Sequence, residues 1–216
     1  VPFKKNKMLK IKVCGMRERQ NILALAELQP DFMGFIFYEK SARFTGDILN
    51  KKTLRSLPKN IKKTGVFVNE KLEKIVGICK EYDLDIVQLH GNETLEFCRK
   101  LKNEGLKIIK VFSVDNSFDF AETAPFETFI DYFLFDTKAD GGYGGHGKTF
   151  DWQILDNYTG EKPFLLAGGI SLENLEDLKN IRNKNFAGID VNSKFEISPA
   201  NKNMEALIEL FEKIRI

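Results

Sequence analysis

Two hydrophobic periods take turns along this chain, and the exchange happens eight times. Residues 9–14 alternate at period two, with Leu9, Ile11 and Val13 on one face and Lys10, Lys12 and Cys14 on the other, which predicts a strand. Residues 21–28 follow with Ile22, Leu25 and Ala26 at helical spacing. Residues 31–37 form a second apolar run, then come a polar loop over 38–46 and a weaker helix to Leu57. Residues 64–68 predict a third strand, and Leu72, Ile75, Val76 and Cys79 make the i, i+3, i+4, i+7 stripe of a buried helix face. The fourth strand is expected over 85–89, with Leu95, Cys98 and Leu101 marking its helix, and the fifth over 106–112, with a short helix near 118–123. Residues 130–136, 163–167 and 186–191 read as strands six to eight. Helices are predicted over 150–156, over 172–180 with Ser171 as a plain N-cap, and over 204–214.

The strand starts recur about every 25 residues, the pitch of repeated βα units. Eight such units close most naturally into a single (β/α)8 TIM barrel, an α/β fold, here a small one. An open doubly wound sheet usually has fewer strands and carries its phosphate loop after strand one. In this chain the densest glycine loop follows strand six and a second Gly-Gly follows strand seven, which favours the barrel. The barrel is expected over residues 8–216, with 1–7 a disordered extension outside it.

Composition narrows the function class. The chain has 216 residues, 33 Lys+Arg against 31 Asp+Glu, and a net charge of +2. That balance gives no global attraction to nucleic acid or an anionic membrane, and no basic patch with interleaved aromatics appears. A hydrophobic fraction of 43% excludes a disordered chain. Aromatic residues are 19 Phe, 5 Tyr and 1 Trp, so most lack a polar handle and are expected in the core. The three cysteines, Cys14, Cys79 and Cys98, fit neither a disulfide framework nor a metal knuckle and point to a reducing compartment. The first eight residues carry lysines but lead into no apolar h-region, and no stretch approaches the ~20 residues of a membrane helix. A cytoplasmic protein is expected, with monomer and homodimer both open.

In a barrel, residues at the carboxyl ends of the strands share one mouth. Those positions here are Cys14, Gln88, His90, Asp136 and Asp190 with the loops that follow them. The parity of strand one sends Lys12 and Cys14 inward. A buried lysine must be paired, and Asp190 or Asp136 supplies the candidate partner. A neighbouring ammonium would favour the Cys14 thiolate and make it a usable base, whereas a free cysteine is also an ordinary small filler. Cys79 and Cys98 lie on helical stripes and read as packing. Asp136 ends the apolar run Tyr132-Phe-Leu-Phe and is placed either to hold a proton as a general acid or to cap its own loop.

The loop Asp140–Lys148 has five glycines between 141 and 147 and contains GxGxxG, but it lacks the βαβ context of a dinucleotide fingerprint. Together with Gly168-Gly169 and Asn192-Ser193 it offers backbone N–H groups and small polar side chains for a phosphate, which makes an anion site in the late loops the better reading than a merely flexible lid. Arg43, in the loop after strand two, is placed to grip a carboxylate bidentately or to stay solvated. His90 and His146 are far apart in the chain, and no HxH, HExxH or CxxC spacing exists, so no metal site is expected.

Several segments in order, Lys12-Val-Cys14-Gly15, Gly34-Phe-Ile-Phe37 with Lys40-Ser-Ala-Arg43, Gly65-Val-Phe-Val68-Asn69, Val87-Gln-Leu-His90-Gly91, Asp136-Thr137 with Gly144-Gly-His-Gly-Lys-Thr149-Phe-Asp-Trp152, and Ala167-Gly-Gly-Ile170, closely resemble the phosphoribosylanthranilate isomerase family of tryptophan biosynthesis. The resemblance runs from about Met8 to the final helix, and its specificity lies in the combination. It implies a cofactor-free (β/α)8 enzyme acting on a small phosphosugar that carries an anthranilate group. By position it implies Cys14 as general base, Asp136 as general acid, Arg43 as the grip on the anthranilate carboxylate, with Gln88 and His90 also facing substrate. Gly145, Gly147, Gly168, Gly169, Asn192 and Ser193 would cradle phosphate, while Lys12, neutralised by Asp190, would support Cys14. One departure is visible: the family's Ser-Ser-Gly before a hydrophobic residue and Glu is here Asn192-Ser193-Lys194-Phe195-Glu196. The rival readings are an aldose-ketose isomerase of the histidine-pathway type, expected to carry Asp where Cys14 stands, and a non-catalytic phosphosugar-binding barrel.

Overall fold

Eight parallel strands pair in sequence order, and the last returns to the first to close the barrel. In this computed structural model residues 8–137 and 151–215 are described. The expected extension over 1–7, the whole glycine-rich loop over 140–148 with Gly145, His146 and Gly147, and the predicted helix start at residue 150 lie outside them. The strands are β1 (Lys10–Val13), β2 (Phe32–Ile36), β3 (Lys62–Phe67), β4 (Ile86–Leu89), β5 (Lys107–Val114), β6 (Tyr132–Thr137), β7 (Phe164–Leu166) and β8 (Phe186–Val191). All eight overlap the predicted strands.

Period-two alternation divides the buried side chains into two layers. Leu9, Ile11, Val13, Met33, Phe35, Val87, Leu89, Phe133 and Phe135 point outward into the core under the helices. Phe32, Ile86, Ile109, Val111, Leu134, Leu165, Ala167 and Ala187 fill the inside of the barrel. Two apolar layers leave no water for the strand backbones, which is why the barrel closes on itself rather than ending in bare edges. β7 and β8 slip register beside Phe164 and Leu165, whose partners are Phe186 and Gly188. The intervening Ala187 is the extra residue of a bulge, and Gly188, Asp190 and the inward face of β8 follow from that shift.

The outer layer is helical after the early strands: α1 (Arg19–Glu27), α2 (Lys51–Arg55), α3 (Leu72–Tyr82) and α4 (Leu95–Asn103), with α5 (Met204–Ile214) closing the chain. Asn50, Thr94 and Asn203 accept backbone N–H bonds at the starts of α2, α4 and α5. After β5, β6 and β7, where helices are expected, the helices are of the tighter kind. The segments Phe120–Phe129, Trp152–Asn157 and Leu175–Asn180 are 3-10 helices. Their inward residues recur every third position: Phe120, Thr123, Phe126; Trp152, Leu155, Tyr158; Leu175, Leu178, Ile181. That is the repeat of a 3-10 helix, where i and i+3 eclipse, not the 3.6 of an α-helix. Pro125, which has no N–H, sits inside the first of them. Ser171 is not an N-cap either: its N–H donates to Asn174 Oδ1, 2.9 Å away, and Asn174 donates on to the Gly169 carbonyl.

Packing over these thin segments is aromatic. Phe135 touches the rings of Phe120, Tyr158 and Phe164 at centroid distances of 5.2, 5.5 and 5.1 Å. The phenylalanine-rich composition is spent here, where bulky rings fill a layer that longer helices fill elsewhere. A two-stranded antiparallel hairpin, β9 (Glu196–Ser198) with β10 (Asn201–Lys202), follows β8 and was not expected from the sequence. Among the described residues no helix is long and apolar enough to cross a membrane.

Candidate active site

The carboxyl ends of β1, β4, β6 and β8 place a chain of polar side chains on top of the apolar barrel interior. β1 and β8 pair with Lys12 opposite Asp190. Both side chains project inward, and the Lys12 ammonium, wholly buried, lies 2.8 Å from Asp190 Oδ2. Burial works against that ammonium, but the Asp190 charge, its hydrogen bond and Cys14 outweigh it and raise the Lys12 pKa above the ordinary value. Asp190 is pushed up by burial and by the charge of Asp136, against the pull of Lys12. Its second oxygen, Oδ1, is buried with no hydrogen-bond partner among the described residues. Of the two carboxylates open as partners for Lys12, the structure selects Asp190.

Cys14 stands two residues beyond Lys12 on the same face, 5% exposed, with its N–H donating to the Val191 carbonyl. Burial pushes its thiol up; Lys12 and Lys202 pull it down, and Asp190 adds to the rise. The net effect is upward. Lys12 favours the thiolate, as expected from the sequence, but desolvation of the thiolate exceeds the help of the ammonium. Gly34 on β2 makes room for it, since a Cβ at that position would sit 2.8 Å from Cys14 Sγ and 3.0 Å from its Cα. Cys79 and Cys98 are pushed up to about 11 by burial and pack under the helices.

Across the mouth, His90 Nε2 lies 3.4 Å from Asp136 Oδ2, and Gln88 Nε2 lies 3.2 Å from His90 Nδ1. The loop holding His90 is tied down by a buried pair: Lys110 Nζ donates to the Gly91 carbonyl at 2.7 Å and to Glu93 Oε2 at 2.9 Å. Glu93 in turn accepts from the N–H groups of Asn69 and Gly91. At the end of β7, Gly168 and Gly169 both adopt positive φ, +83° and +70°. A Cβ on Gly168 would meet Thr137 Oγ1 at 2.4 Å. Asn192 and Ser193 follow β8, next to β7 in the barrel, and Ser193 opens a single 3-10 turn to Phe195. The Asn192 side-chain oxygen accepts from Lys202 Nζ at 2.7 Å, so what this side chain has left for an anion is its amide nitrogen. Lys194, which replaces the family's glycine, does not take positive φ, and the path needs no glycine there.

Arg43 is not solvated. Its Nε lies 3.0 Å from both oxygens of Glu196, and its Nη2 lies 2.7 Å from Oε2. That side-on fork commits one edge of the guanidinium and leaves the Nη1–Nη2 edge for another acceptor. Glu196 and Lys202, like Lys110 and Glu93, were missed as site residues. In each pair at least one member stands in a loop or hairpin where no hydrophobic period reports burial. Among the described residues no group of three or more His, Cys, Asp or Glu could hold a metal ion.

A family model described as N-(5'phosphoribosyl)anthranilate (PRA) isomerase matches residues 11–213. The N-(5'-phosphoribosyl)anthranilate isomerase of Parabacteroides distasonis is 48% identical over 205 residues, spanning 94% of this chain and 92% of its own. The solved phosphoribosyl anthranilate isomerase from Thermotoga maritima superimposes with a TM-score of 0.83 at 33% identity, covering 96% of this chain and 99% of that one. A solved phosphoribosyl anthranilate isomerase in complex with reduced 1-(o-carboxyphenylamino)-1-deoxyribulose 5-phosphate gives a TM-score of 0.78 at 30% identity, with 96% and 99% covered.

Proposed function

The chain belongs to the N-(5'-phosphoribosyl)anthranilate isomerase family, the isomerases of tryptophan biosynthesis, and from that premise we propose that Cys14 and Asp136 carry its two proton transfers. The observation that carries the assignment is their position: both stand at strand ends over one apolar interior, linked by Cys14–Lys12–Asp190 on one side and Asp136–His90–Gln88 on the other. The rearrangement moves hydrogen within one molecule and needs no electron carrier. Asp136 protonates the ribose ring oxygen, and the ring opens to a protonated Schiff base. Cys14, as thiolate, removes the proton on C2 of the sugar; the resulting enolamine tautomerises to the aminoketone.

A thiol raised by burial must lose its proton before it can act. Lys12 lowers that cost, and the cationic Schiff base adds a second positive charge at the moment the thiolate is needed. The Asp190 carboxylate keeps Lys12 charged and oriented. His90, beside Asp136 Oδ2, orients the acid. The substrate phosphate lies over the amides of Gly168, Gly169 and residues 192–193; Gly145 and Gly147, assigned to it by the family resemblance, lie outside the described residues. The anthranilate carboxylate meets the outer edge of Arg43.

The test follows loss of freshly made phosphoribosylanthranilate by fluorescence. Cys14→Ala and Asp136→Asn should each lower kcat by about 10²- to 10⁴-fold, the usual worth of general acid-base catalysis, while the substrate still binds. Near-normal turnover by either variant removes that residue from its role. No turnover by the unaltered protein would sink the reading as a whole.

A further inference from the structure

Arg43 belongs to a cluster with more charge than a structural pair needs. Glu196 accepts from Arg43 at 2.7 and 3.0 Å, from Lys202 Nζ at 2.7 Å and from the Ala200 N–H at 3.1 Å. Ala200 reaches that position through a φ of +67°, unusual for a residue with a Cβ. Lys202 spans from Glu196 to Asn192 Oδ1, and a Cβ on Gly15 would touch both the Asn192 side chain and Arg43 Cδ at 2.8 Å. The loops after β2 and β8 thus meet on one carboxylate, with the loop after β1 close against Arg43 and Asn192. Two cations share a single anion, which leaves one positive charge over. Lys202 is wholly buried and the Glu196 side chain 4% exposed, whereas that of Arg43 is 21% exposed. The excess charge reaches solvent only through the guanidinium.

We propose that Glu196, itself held by Lys202, is a positioning residue that fixes Arg43 with its Nη1–Nη2 edge toward the mouth, and that this clamp makes the site select N-aryl phosphoribosylamines bearing a carboxylate on the ring. The inference rests on the assignment of Arg43 to that carboxylate. Glu196 alone would cancel Arg43 and repel a second carboxylate. Lys202 restores the positive balance from behind, where no substrate can reach it. The burial that pushes the Lys202 pKa down is opposed by Glu196, and Glu196 is held low by Arg43 and Lys202 despite its own burial.

The experiment compares two substrates, phosphoribosylanthranilate and the analogue made from aniline, which lacks the carboxylate. The readout is the ratio of their kcat/KM values. Arg43→Ala should lower that ratio about 30-fold, the size of a charge-assisted hydrogen-bond contact, through KM rather than kcat. Glu196→Gln should lower it about tenfold in the same way, and Arg43→Ala/Glu196→Gln should be no worse than Arg43→Ala alone. Glu196→Asp, which keeps the charge, should recover part of the loss. A Glu196→Gln variant that slows both substrates equally, or whose effect adds to that of Arg43→Ala, overturns the clamp while leaving the Arg43 assignment standing. An unchanged ratio in Arg43→Ala overturns the assignment itself. Should Glu196→Gln not fold, Lys202→Met goes through the same double-mutant cycle, where an additive effect or an equal slowing of both substrates again overturns the clamp.

Discussion

Lys12→Met probes the interior ion pair with little change of volume, because Met is unbranched and nearly as long as Lys. It leaves Asp190 buried without its countercharge, and one Asp190 oxygen has no partner among the described residues even in the native pair. Removing one member of a buried pair costs about 3–5 kcal/mol. For a chain of this length, at about 2–4 °C per kcal/mol, Tm should fall by roughly 6–20 °C. Asp190 has an escape, which is to take up a proton. Its pKa is already raised by burial, and without Lys12 it climbs further. A carboxyl with a raised folded pKa binds its proton more tightly when folded. Both proteins lose about 1.4 kcal/mol per pH unit from the unfolded carboxyl value up to their own folded one, and because the variant's is the higher its loss continues after the parent's has saturated. Lys12 has the opposite profile: with its folded pKa raised, its contribution is complete below the ordinary lysine value and fades only as pH rises past its folded one. The gap between the two proteins should accordingly widen from pH 5 to pH 8, as measured by urea unfolding. Lys12→Met/Asp190→Leu, with both charges gone, should regain most of the stability and none of the turnover. A single variant within about 1 kcal/mol of the parent at pH 8, or with a deficit independent of pH, would refute the argument.

Two further outcomes follow from the same geometry. Gly34→Ala forces a Cβ to within 2.8 Å of Cys14 Sγ. Overpacking of about 1–3 kcal/mol should lower Tm by several degrees, and displacing the thiol by about 1 Å should cost on the order of 100-fold in kcat; parental kinetics would show that the thiol has room to spare. Because burial raises Cys14 above the ordinary thiol range, kcat/KM should still be climbing with pH between 7 and 9, and Lys12→Met should move that limb upward. A flat profile over that range would remove the thiolate from the rate.

The eight strands and the inward face of β1 could be read from periodicity, because a strand between two apolar layers must sort its side chains by parity. Lys12 on that face was legible for the same reason. The three late segments were legible as helices but not as 3-10 helices, although their three-residue spacing was present: Trp152, Leu155 and Tyr158, or Leu175, Leu178 and Ile181, fit period 3.0 better than 3.6. The chemistry of Cys14 was half legible, since position predicts a neighbouring ammonium but not the depth of burial that opposes it.

What the sequence by itself determined is local: which runs are strands, which way their alternate residues point, and which polar groups end them. Those follow from backbone geometry and solvent exclusion acting over a few residues. Pairing was decided only when the chain closed. Lys12 meets Asp190 rather than Asp136 because β1 hydrogen-bonds β8 in one register, across 178 positions of sequence. Arg43 meets Glu196 across 153, and Lys202 enters through a hairpin that no period announces. A charge buried at long range is chosen by the register and closure of the whole barrel, and no window of sequence contains that information.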